Sequence, residues 1–245
     1  MSNDRLDAIA QRLGAARRQG ARISLDDAPA DYNEAFSIQD RITASLGEPT
    51  VGWKVNELLD GRVTFAPIFA GGVVPAHSTW NVLGHEPAGI ELELAFRMGA
   101  DVAGHASTAE LLDSVASAHV VFELCQSRLE RPETVARHVA LADFISNHGI
   151  IVGSEVAGWR DKDLKGVPGR LFVDGNLHIA GKSNDPLRAL AVLPRALAEH
   201  GKALRVGHIV ITGSLIGMNW LAGRRTIRGE IDGCGSVEAT VAAAG

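Results

Sequence analysis

The residues best suited to chemistry lie in Gly89-Ile90-Glu91-Leu92-Glu93-Leu94-Ala95-Phe96. The stretch alternates strictly, so strand geometry sends Ile90, Leu92, Leu94 and Phe96 to one face and Glu91, Glu93 and Ala95 to the other. Two carboxylates opposite an apolar face have two readings. They form the solvated acidic side of a half-buried strand, or both reach inward to one hard cation, since Mg²⁺ and Ca²⁺ are held by oxygen-rich clusters. A second segment, 119–125, has the same polarity: Val120, Phe122 and Leu124 share one face, and Val121, Glu123 and Cys125 the other. Lys54 interrupts the short apolar run 51–55, where it either does chemistry or snorkels to the surface.

Other candidates are open in the same way. In the polar loop 142–149, Asp143 caps the following segment or contacts a substrate, and His148 is a base or makes a structural hydrogen bond. Thr212-Gly213-Ser214 offers N–H groups and hydroxyls to an anion, or is a strand-ending turn with no ligand. Cys125 has no cation beside it in sequence to depress its pKa and is assigned no nucleophilic role.

The elements that must position these groups can be read in order. Residues 3–19 form a helix with Leu6, Ile9, Ala10 and Leu13 on one face and Asn3 as a possible cap. A second amphipathic helix runs over about 31–46, carrying Ala35, Phe36, Gln39 and Ile42 inward, and Gly47 and Pro49 stop it. From residue 50 the pattern becomes short strands with frequent glycine. They fall at 51–55, 63–69 (broken by Pro67), 78–83, 89–96, 119–125 and 150–153. A hairpin follows, 170–173 and 177–180 about Asp174-Gly175, then strands at 206–211, 226–231 and 236–241. Ser107-Thr108-Ala109-Glu110 matches a capping box opening a helix with Leu111, Leu112, Val115 and Ala116 inward. Residues 132–140 have helical periodicity. Asp185-Pro186 opens a helix to Gly201 in which Pro194 predicts a kink or an early break. The organisation is a helical N-terminal cap, 1–48, on a β-rich body, 49–245, together one structural domain.

Composition bounds the class. The chain has 245 residues, 46% of them apolar and 22% charged, which is ordinary for a globular protein with a full core. A net charge of −5 gives no electrostatic footprint for nucleic acid or an anionic membrane, and Arg224, Arg225 and Arg228 read as a solvated strand or an oligomer contact. No run reaches about 18 apolar residues, and the N-terminus has no apolar signal core. The two cysteines, Cys125 and Cys234, read as reduced residues of a cytoplasmic protein.

Taken in order, several of these pieces resemble the fumarylacetoacetate hydrolase superfamily, in particular its 2-oxopent-4-enoate hydratase and oxalocrotonate decarboxylase branch. They are Ala35-Phe36-Ser37-Ile38-Gln39, Gly52-Trp53-Lys54-Val55, the strand from Ile90 to Phe96, Phe122-Glu123-Leu124 with Ser127-Arg128, Ala142-Asp143 with Ser146, and Ile211-Thr212-Gly213-Ser214. The resemblance implies an α+β, β-rich fold, a mixed β-sandwich roll with a helical N-terminal cap. It implies that Glu91, Glu93 and Glu123 ligate one divalent cation, Mg²⁺ or Mn²⁺. Lys54 becomes the catalytic or carboxylate-binding lysine, Asp143 and Ser146 shape the site near the metal, and Thr212, Gly213 and Ser214 bind substrate. A homo-oligomer is implied as well.

Three carboxylates around Mg²⁺ leave roughly half of its octahedron open. Such a site suits a 2-oxo acid, whose carboxylate and C2 oxygen can chelate together, with the cation as Lewis acid for an enolate or dienolate. The implied activity is hydration of a short 2-hydroxydienoic acid in aromatic-compound breakdown. Decarboxylation of an oxalocrotonate-type acid, acylpyruvate hydrolysis and non-catalytic 2-oxo-acid binding are the alternatives on the same scaffold. Three departures bear on this choice. Thr64-Phe65-Ala66 stands where the hydratases carry an Asp, Asn56-Glu57-Leu58 follows Lys54's strand, and Gln126 replaces an acidic residue. Glu57 or Asp60 either substitutes for the missing acid or is a surface loop residue, and the second reading is preferred.

Overall fold

The computed structural model describes residues 2–25, 27–84 and 87–243. In chain order the elements are α1 (Ser2–Gln19), α2 (Tyr32–Leu46), β1 (Thr50–Glu57), β2 (Val63–Phe69), β3 (Val73–Pro75), β4 (Thr79–Val82) and β5 (Ala88–Met98). Then come α3 (Thr108–Asp113), β6 (Val115–Cys125), α4 (Arg137–Ala142), β7 (Asn147–Glu155), β8 (Pro168–Val173), β9 (Asn176–Lys182) and α5 (Pro186–Glu199). Four strands finish the chain: β10 (Ile209–Ile211), β11 (Asn219–Leu221), β12 (Arg225–Ile231) and β13 (Gly235–Ala243).

Two sheets result. The larger runs β2-β1-β10-β5-β6-β7-β3, with β11 also paired to β5, and the smaller runs β4-β13-β12-β8-β9. Both are mixed: β1 with β10, β3 with β7 and β4 with β13 are parallel, and the remaining pairs are antiparallel.

The alternation of β5 and β6 sets the layers. Ile90, Leu92, Leu94, Phe96, Val120, Phe122 and Leu124 are buried in the main core. The smaller sheet covers this face closely: a Cβ on Gly229 of β12 would sit 2.5 Å from Leu92 and 2.9 Å from Phe122. The other face holds a separate apolar cluster of Ile68, Ala95, Val121, Ile150, Ile209 and Ile211. Its members come from β2, β5, β6, β7 and β10, so one cluster spans nearly the whole larger sheet. Only a sheet that curls on itself can bury that face without a second layer. This is the β-sandwich roll, and Glu91, Glu93 and Glu123 point into it.

Helices α1 and α2 pack together through Leu6, Ile9, Leu13, Phe36, Ile38 and Ile42. Asp31 caps α2 by accepting from Glu34 N, and Gly47 ends it at φ 65°. Gln39 ties α2 to the body by donating to Phe65 O and Leu141 O.

Several local expectations are corrected. Asn3 lies inside α1 and its side chain accepts from Arg41 instead of capping. Pro67 does not break β2, because β2 is a sheet edge and a missing donor costs it no ladder bond. The Ser107–Glu110 capping box forms, but α3 ends at Asp113, and Val115 and Ala116 already belong to β6. The helix expected at 132–140 sits at 137–142. Helix α5 continues through Pro194 to Glu199.

Candidate metal and substrate site

The carboxylates converge because two strands pair in one register. Glu91 of β5 lies directly opposite Glu123 of β6, and Glu93 opposite Val121. Lys54 enters from the other side: it pairs with Ile211 of β10, which pairs with Ala95 of β5, so Lys54 falls on the glutamate face. Its stem does not snorkel outward. Lys54 is 6% exposed, with Nζ 2.7 and 2.9 Å from the two carboxylate oxygens of Glu123 and 3.5 Å from Glu91 Oε2. Neighbouring groups fix two of the acids. Asn147 Nδ2 donates to Glu123 Oε1 at 2.8 Å, and Gly213 N donates to Glu93 Oε2 at 2.7 Å.

Burial dominates the electrostatics. It pushes the Glu93 carboxyl well above the usual carboxylate range; Glu123 and Glu91 push the same way, and Lys54 and the Gly213 N–H only partly oppose them. Glu123 is also raised by burial, with Lys54 pulling down and Glu91 pushing up. For Lys54, burial disfavours the ammonium, yet the charges of Glu123 and Glu91 outweigh it and hold the group well above its usual pKa. The site is an acidic cluster only partly neutralised by one cation.

Its donors fit a hard divalent ion. Glu93 Oε1 is buried with no hydrogen-bond partner, and Glu123 Oε2 has the Lys54 ion pair but no hydrogen bond. Ligand atoms of Glu91, Glu123 and Cys125 lie within 4.8 Å of one another. Glu93 is outside that group but faces the same interior. Cys125 departs from its sequence reading, since the fold places it near Lys54 and 3.7 Å from Glu91 Oε2. Burial and then Glu123 push its thiol pKa well up, so it stays a neutral thiol beside the carboxylates.

The other predicted residues are distributed around this centre. Asp143 is not in contact with it: Ser127 Oγ and Arg128 N each donate to its Oδ2 at 2.9 Å, and Arg128 Nε pairs with Oδ1. Ser146 lines a cavity of about 660 Å³ with Arg22, Met218 and Trp220. Met218, on the same cavity wall, packs on Gly89, two residues before Glu91. Thr212 Oγ1 donates to Leu94 O, and the Ser214 hydroxyl closes its own turn with Gly217 O and Ile216 N. Of that triplet, Gly213 alone touches the acid cluster. His148 lies in β7 with its ring 5.6 Å from that of Trp80. Glu57 is held by Arg188 in two 2.7 Å bonds at the surface. Sequence reasoning missed Asn147 and Ile145, whose carbonyl accepts from Lys54 Nζ at 3.4 Å.

No protein-family model matches the chain. It is 28% identical to a 2-keto-4-pentenoate hydratase of Paraburkholderia phymatum, over 98% of this chain and 99% of that one. It is 25% identical to a 4-oxalocrotonate decarboxylase of a Pseudomonas species, over 95% and 96% of the two chains. Among solved structures, the 4-oxalocrotonate decarboxylase of Pseudomonas putida G7, complexed with magnesium and adipate, superposes with a TM-score of 0.87 at 20% identity, covering 98% of each chain. A fumarylacetoacetate hydrolase of Exiguobacterium antarcticum superposes at 0.62 and 17% identity, over 80% of this chain and 76% of that one. The expected resemblance is thus borne out, in sequence to the hydratase and the decarboxylase over nearly the whole chain, and in fold to the decarboxylase and to a fumarylacetoacetate hydrolase.

Proposed function

We propose that this relative of the 2-keto-4-pentenoate hydratases is a divalent-metal-dependent lyase of the hydratase type. It acts on short 2-oxo and 2-hydroxydienoic acids in the breakdown of aromatic compounds. The observation that carries the reading is the convergence of Glu91, Glu93, Glu123 and Lys54 inside the roll, with buried carboxylate oxygens that no hydrogen bond satisfies. Glu91, Glu93 and Glu123 would hold Mg²⁺ or Mn²⁺. When bound, the ion supplies Lewis-acid stabilisation of charge developing on the substrate's C2 oxygen.

The chain's own residues supply the rest. Lys54, held as an ammonium, neutralises the substrate's carboxylate and is the proton donor closest to the acids. Asn147 and the Gly213 N–H keep Glu123 and Glu93 turned inward, as outer partners of metal ligands do. Ser146 orients the substrate from the cavity wall, and the buried thiol of Cys125 contributes shape without charge. Thr212 and Ser214 hold the turn that presents Gly213. In hydration, a proton goes to the far end of the diene and water adds at C4, giving a 4-hydroxy-2-oxo acid. A homo-oligomer and a cytoplasmic location complete the reading.

Decarboxylation of an oxalocrotonate-type acid is the second reading. One observation favours it: Thr64 stands in place of the hydratases' acid, and its hydroxyl is spent on Asn56 O. The test incubates the Mg²⁺-loaded protein separately with 2-hydroxypenta-2,4-dienoate, 4-oxalocrotonate and an acylpyruvate, with products identified by NMR. Appearance of 4-hydroxy-2-oxopentanoate from the dienoate is expected. CO₂ release from oxalocrotonate alone moves the assignment to the decarboxylase. If Glu91→Ala and Glu123→Ala bind Mg²⁺ as tightly as the parent by calorimetry, the metal assignment fails.

A further inference from the structure

Phe144, Ile145 and Ser146 form a left-handed turn, with φ of 55°, 52° and 62°. Consecutive non-glycine residues seldom occupy this region, and a β-branched isoleucine is among the least suited to it. Strain of this kind persists where the surroundings over-determine it. Arg128 supplies that restraint from the end of β6. Besides its N–H and Nε bonds to Asp143, it sends Nη2 to Asp143 O at 2.6 Å and Nη1 to Gln126 O and to Asn147 O at 3.3 Å. The guanidinium therefore grips the residue before the turn and the residue after it. Both charges are buried, Arg128 at 2% and Asp143 at 1% exposure. From the other side, Arg17 of α1 donates to Asn147 O at 2.9 Å and lies over the Phe144 ring.

Two groups leave this turn for the acid cluster. The Ile145 carbonyl lies 3.4 Å from Lys54 Nζ, and the Asn147 amide donates to Glu123 Oε1. We propose that Arg128 is a positioning residue: clasped to Asp143, it holds the left-handed turn closed so that Ile145 and Asn147 fix the Lys54–Glu123 pair in its ligating geometry. Asp143 then acts through Arg128 and touches no substrate. The proposal rests on the metal-site reading above, but it is read out by metal affinity and backbone protection as well as by turnover.

The test compares Arg128→Lys, Asp143→Asn and Ser127→Ala with the parent. Mg²⁺ affinity is measured by calorimetry, amide exchange over 143–147 by mass spectrometry, and folding by near-UV circular dichroism. Arg128→Lys keeps the charge but loses the fork. It is expected to weaken Mg²⁺ binding about tenfold, the lower end of the usual effect of an outer-partner change, and to speed exchange across the turn. Asp143→Asn should do the same. Ser127→Ala removes one bond to Asp143, leaves the ion pair, and serves where the others fold poorly; a smaller loss in the same direction is expected. Ile145→Gly placed in the Arg128→Lys background should recover part of the affinity, because glycine enters the left-handed region freely. Unchanged affinity and exchange in all three folded variants would overturn the clasp. So would loss of turnover in Asp143→Asn with metal affinity and exchange intact, which would make Asp143 a catalytic group. If the parent itself binds no Mg²⁺, the metal-site reading fails first, and unchanged exchange would then remove the clasp independently.

Discussion

Glu91 and Glu123 stand directly opposite each other in the β5–β6 ladder. Like charges at a cross-strand pair destabilise a sheet, and here both side chains point into a closed roll instead of water. The Lys54 ammonium, 2.7 Å from Glu123, offsets only part of that repulsion. The remaining negative charge is what the proposed divalent cation would neutralise.

Replacing Lys54 by Met should therefore act oppositely on two quantities. Removing one partner of a buried pair leaves an uncompensated charge, at a cost of about 3–5 kcal/mol in the metal-free protein. Mg²⁺ takes over the neutralising role, so it should raise the melting temperature of Lys54→Met by more than it raises the parent's. At a hundredfold excess over Kd, one site adds about 2.7 kcal/mol to the parent. Calorimetric melts with Mg²⁺ and with EDTA decide it; equal metal-induced shifts in the two proteins would count against Lys54 as the resident counter-charge.

The alternation of β5 and β6 was legible because a half-apolar strand leaves a period-two trace. Asp31 at the start of α2, the Ser107–Glu110 box and the Asp174-Gly175 hairpin were legible because caps and turns are local chemistry. What alternation cannot tell is whether the polar face is wet. That depends on the roll, and the roll depends on β1 pairing in parallel with β10, from the far end of the chain. The same long-range pairing brings Lys54 toward Cys125, which looked isolated. Phe144-Ile145-Ser146 contains none of the glycine or asparagine that signals a left-handed turn, so Asp143 read as well for a cap of the following segment as for a substrate contact, and its partnership with Arg128 left no trace in the sequence. β11 is three residues long, too short for any period.

Metal binding should release protons. Glu93 and Glu123 have raised pKa values in the metal-free fold, so each holds its proton to a higher pH than an ordinary carboxylate. A cation needs them ionised, and it must displace whatever proton remains. Release per Mg²⁺ should be larger at lower pH, as read by calorimetry in two buffers of different ionisation enthalpy. Glu93→Gln should shrink it. The same shifts act on the metal-free protein with the opposite sense: their stabilising contribution is present at low pH and is lost as pH rises through the raised values. A release independent of pH and unchanged in Glu93→Gln would contradict the burial-driven shift.

A second titration lies outside the acid cluster. His208 Nδ1 accepts from Trp53 Nε1 and from Arg205 N, both at 3.2 Å, so its neutral form is the bonded one. Burial lowers its pKa below the usual 6.5, with Asp101 opposing and Arg205 adding to the shift. His119 and His200 are lowered by burial as well. For a depressed pKa the contribution is complete above the unfolded value, about 6.5, and is lost as pH falls below it. As pH falls from 7.5 to 5.5 the urea midpoint of His208→Gln should fall less, or rise more, than the parent's, because the raised carboxylates act in the opposite direction in both proteins. Identical slopes in variant and parent would remove His208 from the account.

The close approach of β1 to β10 sets where Lys54 sits, and one glycine permits it. A Cβ on Gly52 would lie 2.1 Å from Ile209 O and 2.9 Å from Ile209 Cγ2. Gly52 pairs with Ile209, and two residues on, Lys54 pairs with Ile211. Gly52→Ala must push the strands apart, costing about 1–3 kcal/mol as overpacking does, and it should move Lys54 away from Glu123. Gly14 of α1 is the contrast, because its added Cβ meets nothing nearer than Ser45 Oγ at 3.5 Å. Gly14→Ala should stabilise the fold by about 0.5–1 kcal/mol through helix propensity alone. Denaturant melts of the two variants, with Mg²⁺ titrations of each, separate the effects. Gly52→Ala is expected to lose stability and metal affinity together, and Gly14→Ala to gain the first without moving the second. A Gly52→Ala protein with the parent's Mg²⁺ affinity would show that the lysine's seat does not depend on this strand contact.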